Sequence, residues 1–310
     1  MYKFYSLGFF MNKKLTLVFL FLVFLFMPSL KGLDLFKKAN TPYPFKPEPI
    51  DVVIPAIAKD LRTLDLCIEG ITANGSDVRK IYVVSPEKLT DKAEWVDEKS
   101  YPFTKYDVAL HLCQMDEERA KQFLNEKPNW VGWYYQQLLK LYAPFVIPDI
   151  SSNVLILDSD TIFLKPVKFL TPKGAGLYNP GKLCVESYFV HARKMLPGFK
   201  RLNKKYAGIC HHMLYQKPVL LDLFKKTEHY HKRPFWKAFC LSTNTNNLCT
   251  QGASEYEIYF NYVFARTPQV KLRFLKHADC WTNAPEIKDL NYYRKKGYDY
   301  ASFHMVQREK

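Results

Sequence analysis

The 310-residue chain is 48% hydrophobic and 24% charged, with only 12 Gly and 19 Pro, which excludes disordered, collagen-like and low-complexity chains and fits one large domain or two small ones. Its 45 Lys and Arg against 30 Asp and Glu leave a net charge of +15, favouring anionic partners such as nucleotide phosphates or anionic lipid. The Lys and Arg are spread along the chain with only short runs such as Lys200–Lys205, so no nucleic-acid partner is expected.

In chain order, the first feature is Leu15–Met27 (LTLVFLFLVFLFM), an uncharged run preceded by Lys13 and Lys14. A positive stretch ahead of a short apolar one describes a secretory signal. The apolar Met1–Phe10 extends it toward the roughly 20 residues that a membrane span requires. Residues 1–31 are therefore expected to be a signal peptide or a membrane anchor. That places the protein in the secretory pathway, exported or held to a membrane by one N-terminal segment. Residues 32–50 carry four prolines and no apolar period, and read as a Pro-rich linker or stalk.

A globular domain is expected over 51–310. Asp51–Pro55 (DVVIP) and Lys80–Ser85 (KIYVVS) read as buried strands. Between them Leu61, Leu64, Ile68 and Ile71 recur at helical spacing. Two strands joined by a helix make a right-handed βαβ unit and so a parallel sheet. Glu117–Leu124 and Trp133–Tyr142 read as helices, the second ended by Pro144, and Asn153–Leu157 (NVLIL) as a buried strand. Beyond residue 170 the pattern loosens, with helices expected over Pro218–Lys226 and Glu255–Ala265 and a strand over Lys271–Leu275. Seven cysteines without a CxxC pair give no zinc or thioredoxin motif. Cys240 and Cys249, which bracket a polar loop, are the best single disulfide candidates. Asn74-Gly75-Ser76 is an acceptor sequon for a eukaryotic secretory route.

The sharpest motif is VLILDSDTIFLKP, Val154–Pro166. Asp158 and Asp160 follow directly on a buried strand, at the carboxyl edge where open α/β sheets bind ligands. Two hard oxygen ligands there suit Mg²⁺ or Mn²⁺, with diphosphate oxygens completing the shell. The plainer alternative is a solvated turn with capping aspartates.

These stretches resemble the GT-A glycosyltransferases, the nucleotide-diphospho-sugar transferase superfamily, and within it a bacterial and viral glycosyltransferase-like family. The resemblance rests on DVVIPAIAKD (Asp51–Asp60), IYVVS (Ile81–Ser85), GWYYQQLLKLYAP (Gly132–Pro144), the Asp-x-Asp strand, HHMLYQKPVLLDLF (His211–Phe224) and SEYEIYFNYV (Ser254–Val263). It implies an α/β fold of GT-A (Rossmann-like) type: a mostly parallel central sheet flanked by helices, with a mixed acceptor-side half. It also implies Mn²⁺ or Mg²⁺ and a nucleotide-sugar donor, a UDP-sugar by default. The acceptor would be a glycan, lipid or protein.

Residue roles follow from the resemblance. Pro55, Ala56 and Asp60 would lie near the nucleoside, Asp60 alternatively being a helix N-cap. Gln136 and Lys140 share a helix face, and Lys140 would offset diphosphate charge. Asp158, Ser159 and Asp160 would hold metal and donor. His304 would be a third metal ligand, in place of a packed or surface histidine. Of the adjacent His211 and His212, at most one would face a ligand, and His212 is assigned to the donor. Glu255 would be the acceptor base, although acidic residues also favour a helix first turn through its dipole. Trp133, Tyr134 and Trp281 are candidate stacking rings. Two other readings fit the Asp-x-Asp peptide. One is a haloacid-dehalogenase-like phosphatase, in which the first Asp is a nucleophile. The other is an inactive module binding glycan or nucleic acid.

Overall fold

A computed structural model describes residues 36–281 and 285–304. The signal or anchor expected over 1–31 lies outside these residues. Among the described residues no helix is long and apolar enough to cross a membrane.

The chain runs β1 (Ile50–Pro55), α1 (Leu61–Asn74), β2 (Val78–Ser85), β3 (Glu94–Asp97), α2 (Lys105–Leu112), α3 (Glu117–Glu126), α4 (Pro128–Val146), β4 (Asn153–Leu157), β5 (Thr161–Phe163) and β6 (Leu177–Tyr178). It continues through α5 (Glu186–Met195), β7 (His212–Gln216), α6 (Lys217–His231), α7 (Phe235–Ser242), α8 (Glu255–Arg266), β8 (Lys271–Leu272), β9 (His277–Cys280), α9 (Ile287–Lys295) and β10 (Tyr300–Phe303). The main sheet has the order β3-β2-β1-β4-β7. Its first four strands are parallel and β7 runs antiparallel to β4. A second sheet, β5-β10-β9, continues from β4 through the two aspartates, and β6 pairs with β8. The protein is thus an α/β protein with a mostly parallel main sheet, smaller mixed sheets and flanking helices.

The local chemistry explains the elements. All six residues of β1 and all five of β4 are buried, as continuous apolar strands covered on both faces must be. Thr104 caps α2 by accepting from the Asp107 N–H, Asp116 caps α3 through Arg119 N–H, and Pro128 sits at the start of α4, where a missing N–H costs nothing. Pro144 does not end α4 as the sequence suggested; the helix continues to Val146. The ring removes only the bond that would reach the Lys140 carbonyl, and the flanking residues are held by core packing. Cys240 and Cys249 are unbonded: Cys240 is buried and Cys249 lies exposed. The amide of Asn74 is already spent, donating to the carbonyls of Gly70 (2.9 Å) and Phe163 (3.0 Å).

The Pro-rich segment is not a free stalk over its described part. Residues 36–49 lack regular structure but are fastened to the domain at both ends. Phe36 is buried, its ring 4.7 Å from Phe199, and Tyr43 donates to Asp222 at 2.6 Å. Asn153 donates to the carbonyls of Lys46 (3.0 Å) and Glu48 (3.1 Å). Asn153 faces Gln216 across β4 and β7, and the Gln216 amide bonds Asn153, Gly174 and Gly176 at 2.7–2.9 Å. Gly174 has φ of +78°, and a Cβ there would run into the Lys46–Pro47 backbone. Gly174→Ala is therefore expected to destabilise the domain by roughly 1–3 kcal/mol. This would be read as a fall in thermal midpoint together with easier proteolysis within residues 36–49.

Candidate functional site

The Asp158-Ser159-Asp160 link is the turn by which the chain leaves the main sheet and enters the second one. Its backbone is pinned to other strand ends. Asp158 N–H donates to the His211 carbonyl (3.0 Å), ahead of β7, and Phe303 N–H donates to the Asp160 carbonyl (2.9 Å), at the end of β10. His304 N–H in turn donates to Cys280, at the end of β9 (2.8 Å). Four strand ends thereby bring Asp158, Asp160, His211, Asp279 and His304 together at the carboxyl edge of the parallel strands.

The side chains form an alternating ring. His304 Nδ1 lies 3.2 Å from Asp160 Oδ2, and its Nε2 is 3.5 Å from Asp279 Oδ1. His211 Nε2 lies 3.0 Å from the same Asp279 oxygen, and its Nδ1 is 3.9 Å from Asp158 Oδ2. Ligand atoms of His211, Asp279 and His304 all lie within 4.8 Å of one another. Bonds from His211 and then His304 hold Asp279 far below the usual carboxylate range. Burial opposes charging of His304, but Asp160 and Asp279 outweigh it and raise its pKa to about 9. His211 adopts φ of +62°, a left-handed conformation costing of order 1–3 kcal/mol for a non-glycine residue. This twist turns its ring toward the carboxylates.

Behind the ring lies a buried ion cluster. Lys140 Nζ, from the middle of α4, is 2.6 Å from Asp158 Oδ1 and 2.9 Å from Glu255 Oε1. It also sits 4.5 Å from the centre of the Tyr256 ring. Tyr256 donates its hydroxyl to Asp158 at 3.0 Å. Burial would discharge Lys140, but the two carboxylates overcome this and raise its pKa. Asp158 in turn is kept below its ordinary pKa, the opposing burial being outweighed by Lys140 and His211. Glu255 opens α8 with Ser254 as N-cap, and its N–H donates to the Gln137 side chain (3.1 Å).

The expected site residues are distributed unevenly around this cluster. Glu255 and Lys140 are only 5% and 4% exposed and are bound to each other. Glu255 thus places one carboxylate oxygen, Oε1, on Lys140, and the Lys140 ammonium is shared between Asp158 and Glu255. Gln136 makes none of the contacts of this cluster; its neighbour Gln137 does. His212 is the inward member of the histidine pair. It lies 5.1 Å from the Tyr300 ring and 5.3 Å from that of Phe163. Burial drives its pKa well down, and its ring nitrogens have no partner among the described residues. His211 takes the place at the site instead. Asp160 and His304 are brought together as expected. Asp60 stands beside them: it bonds Ser159, and its carboxylate accepts from Ile57 N–H (2.9 Å) and does not cap α1. Burial raises its pKa, against the opposing Ile57 bond. Pro55 and Ala56 close β1, Ala56 N–H donating to Val84 (3.0 Å). Tyr134 is a core residue bonded to the Asn247 carbonyl, and the half-buried Trp133 meets the rings of Trp130 and Tyr134 edge to face. Trp281 is 68% exposed with its ring 4.8 Å from His304. Asp279 and Tyr256 were missed. The only sequence signal for Asp279 was a carboxylate in a His-Ala-Asp peptide following a basic strand.

Residues 48–302 match the family of unknown function DUF6492. The chain belongs to this family. The matched span contains the whole site except His304, which lies two residues past its end. No curated protein matches the chain.

Two outcomes test this electrostatic account. Lys140→Met strands two buried carboxylates and is expected to cost about 3–5 kcal/mol in chemical denaturation; Lys140→Met with Glu255→Gln should recover part of that loss. Glu257, two residues into α8 from Glu255, is buried with one carboxylate oxygen unpartnered among the described residues, and burial raises its pKa to about 7 from 4.5. The folded state thus keeps a proton that the unfolded chain releases. Stability should fall as pH rises from about 4.5 to about 7, by on the order of 3 kcal/mol. Glu257→Gln should flatten that slope in denaturation series across pH.

Proposed function

We propose that the protein is a metal-dependent glycosyltransferase of GT-A type, moving a sugar from a nucleotide-diphosphate donor, a UDP-sugar by default, to a glycan, lipid or protein acceptor. The observation that carries this reading is the placement of Asp158 and Asp160 at the carboxyl edge of parallel strands, facing two imidazoles and a third carboxylate. That edge is where open α/β sheets take ligands. The donor set fits a divalent ion. Asp160, Asp279, His211 and His304 offer oxygen and imidazole nitrogen together, which suits Mn²⁺ better than the oxygen-seeking Mg²⁺. When bound, such an ion supplies positive charge to offset the charge that develops on a leaving diphosphate.

The chain's own residues set the stage for it. Lys140 keeps Asp158 ionised and fixes its direction, and Glu255 fixes Lys140; both are positioning residues. Asp60 and Ser159 line the strand-end side next to Asp160, where a ribose or base would lie. The exposed ring of Trp281 beside His304 suits stacking on a sugar or a base.

The test is nucleoside diphosphate release from a panel of nucleotide-sugars by the full chain, with Mn²⁺ or with EDTA. Release is expected to need metal. It should fall about a hundredfold or more in Asp160→Asn, the scale of losing one electrostatic contact to a transition state. Calorimetric Mn²⁺ binding should weaken in Asp279→Asn as well. Phosphate release from monoesters, or neither turnover nor metal-dependent nucleotide binding by folded protein, would overturn the reading.

A further inference from the structure

One surface of the domain combines exposed apolar side chains with unpaired cations, and three separate segments build it. Gly181 pairs with Ala207 in an antiparallel bridge, which sets Lys182 and Leu183 beside Lys205 and Tyr206. The Tyr206 ring in turn lies 5.4 Å from that of Phe274. Leu183, Leu202 and Phe274 are 54%, 41% and 63% exposed, values that leave most of each large side chain to be covered by something else. Lys182, Lys200, Lys204 and Lys205 are exposed and pair with no carboxylate among the described residues. No Asp or Glu occurs within 180–185, 199–206 or 271–276. Within these three segments every charged side chain is basic, with Asp299 meeting the last of them at the Lys276 N–H, 2.7 Å away; elsewhere lysines such as Lys80, Lys92 and Lys121 pair directly with carboxylates.

Phe36 is held beside the same face. The described chain begins at Phe36, whose ring packs against Phe199, the residue immediately before Lys200. Between Met27, the end of the apolar run, and Phe36 there are only eight residues. Even fully extended at about 3.3–3.6 Å each, these span no more than roughly 30 Å. A membrane-held apolar run would therefore lie within that covalent reach of Phe36.

We propose that this face, formed by the 199–206 loop with Leu183 and Phe274, docks on an anionic lipid surface. The lysines meet headgroups, each contributing attraction near an anionic bilayer, and the three apolar side chains enter the headgroup boundary. Five residues beyond Tyr206 the chain reaches His211. The proposal does not depend on the catalytic reading and survives or fails separately from it.

The test is hydrogen–deuterium exchange on the full chain, bound to vesicles of phosphatidylcholine alone or of phosphatidylcholine with phosphatidylglycerol. Expected is several-fold slower exchange over 199–206 and 271–276 on the anionic vesicles. High salt should abolish it, as should the combined change Lys200→Glu, Lys204→Glu and Lys205→Glu, with exchange in β1 and β4 unchanged to show that the variant folds. Three results would overturn the proposal: no slowing on vesicle-bound protein, equal slowing on neutral vesicles, or equal slowing by soluble dextran sulfate without lipid. The last would identify a soluble polyanion as the occupant.

Discussion

A lysine buried between two carboxylates is the interaction on which the site depends. Lys140, Asp158 and Glu255 come from α4, the end of β4 and the start of α8, segments separated by up to 115 residues. None of the three tolerates burial alone, because an unpaired charge in a low-dielectric interior costs several kcal/mol. Together they compensate one another, and the requirement for close contact fixes the relative placement of two helices and the main sheet. The same contact occupies one oxygen of Asp158 and leaves the other directed toward His211.

The consequence is a division of labour between the two aspartates. Asp158 is held from behind by Lys140 and Tyr256. Asp160 is held from the second sheet, through Phe303 N–H and the His304 ring. A two-residue step along the chain therefore joins a main-sheet carboxylate to a second-sheet carboxylate. Histidines bridge outward from each to a common Asp279. Every imidazole of the ring thus lies between two carboxylates and neutralises part of their mutual repulsion. The left-handed backbone at His211 is a local strain that this arrangement sustains.

The outer parts of the fold serve the same edge. The strap over 36–49 is clamped by Asn153 and Gln216, which pair at the opposite end of β4 from the aspartates. The strand that delivers the site is thus anchored at both ends. The strap also carries Phe36 to Phe199, at the start of the loop that runs through the basic apolar face toward His211.

Much of the fold was legible in the sequence because burial on both faces leaves an unbroken apolar signature. β1, β2 and β4, the intervening helix α1 and the position of Asp158 and Asp160 at a strand end all follow from runs such as NVLIL and from helical spacing. Capping chemistry likewise marked the start of α8 at Ser254. Short strands such as β9 and β10 carry too few residues for a period to register, and their pairing depends on contacts more than 20 residues apart. For that reason Asp279 was invisible, and the choice between His211 and His212 turned on a backbone twist that no spacing rule encodes. A side chain's type told which chemistry was available; only the tertiary structure decided which way it faced. It turned Glu255 and Lys140 toward each other in the interior and set Asp160, Asp279, His211 and His304 against one another at the strand edge, because charges drawn out of water settle on the partners that the fold brings within reach.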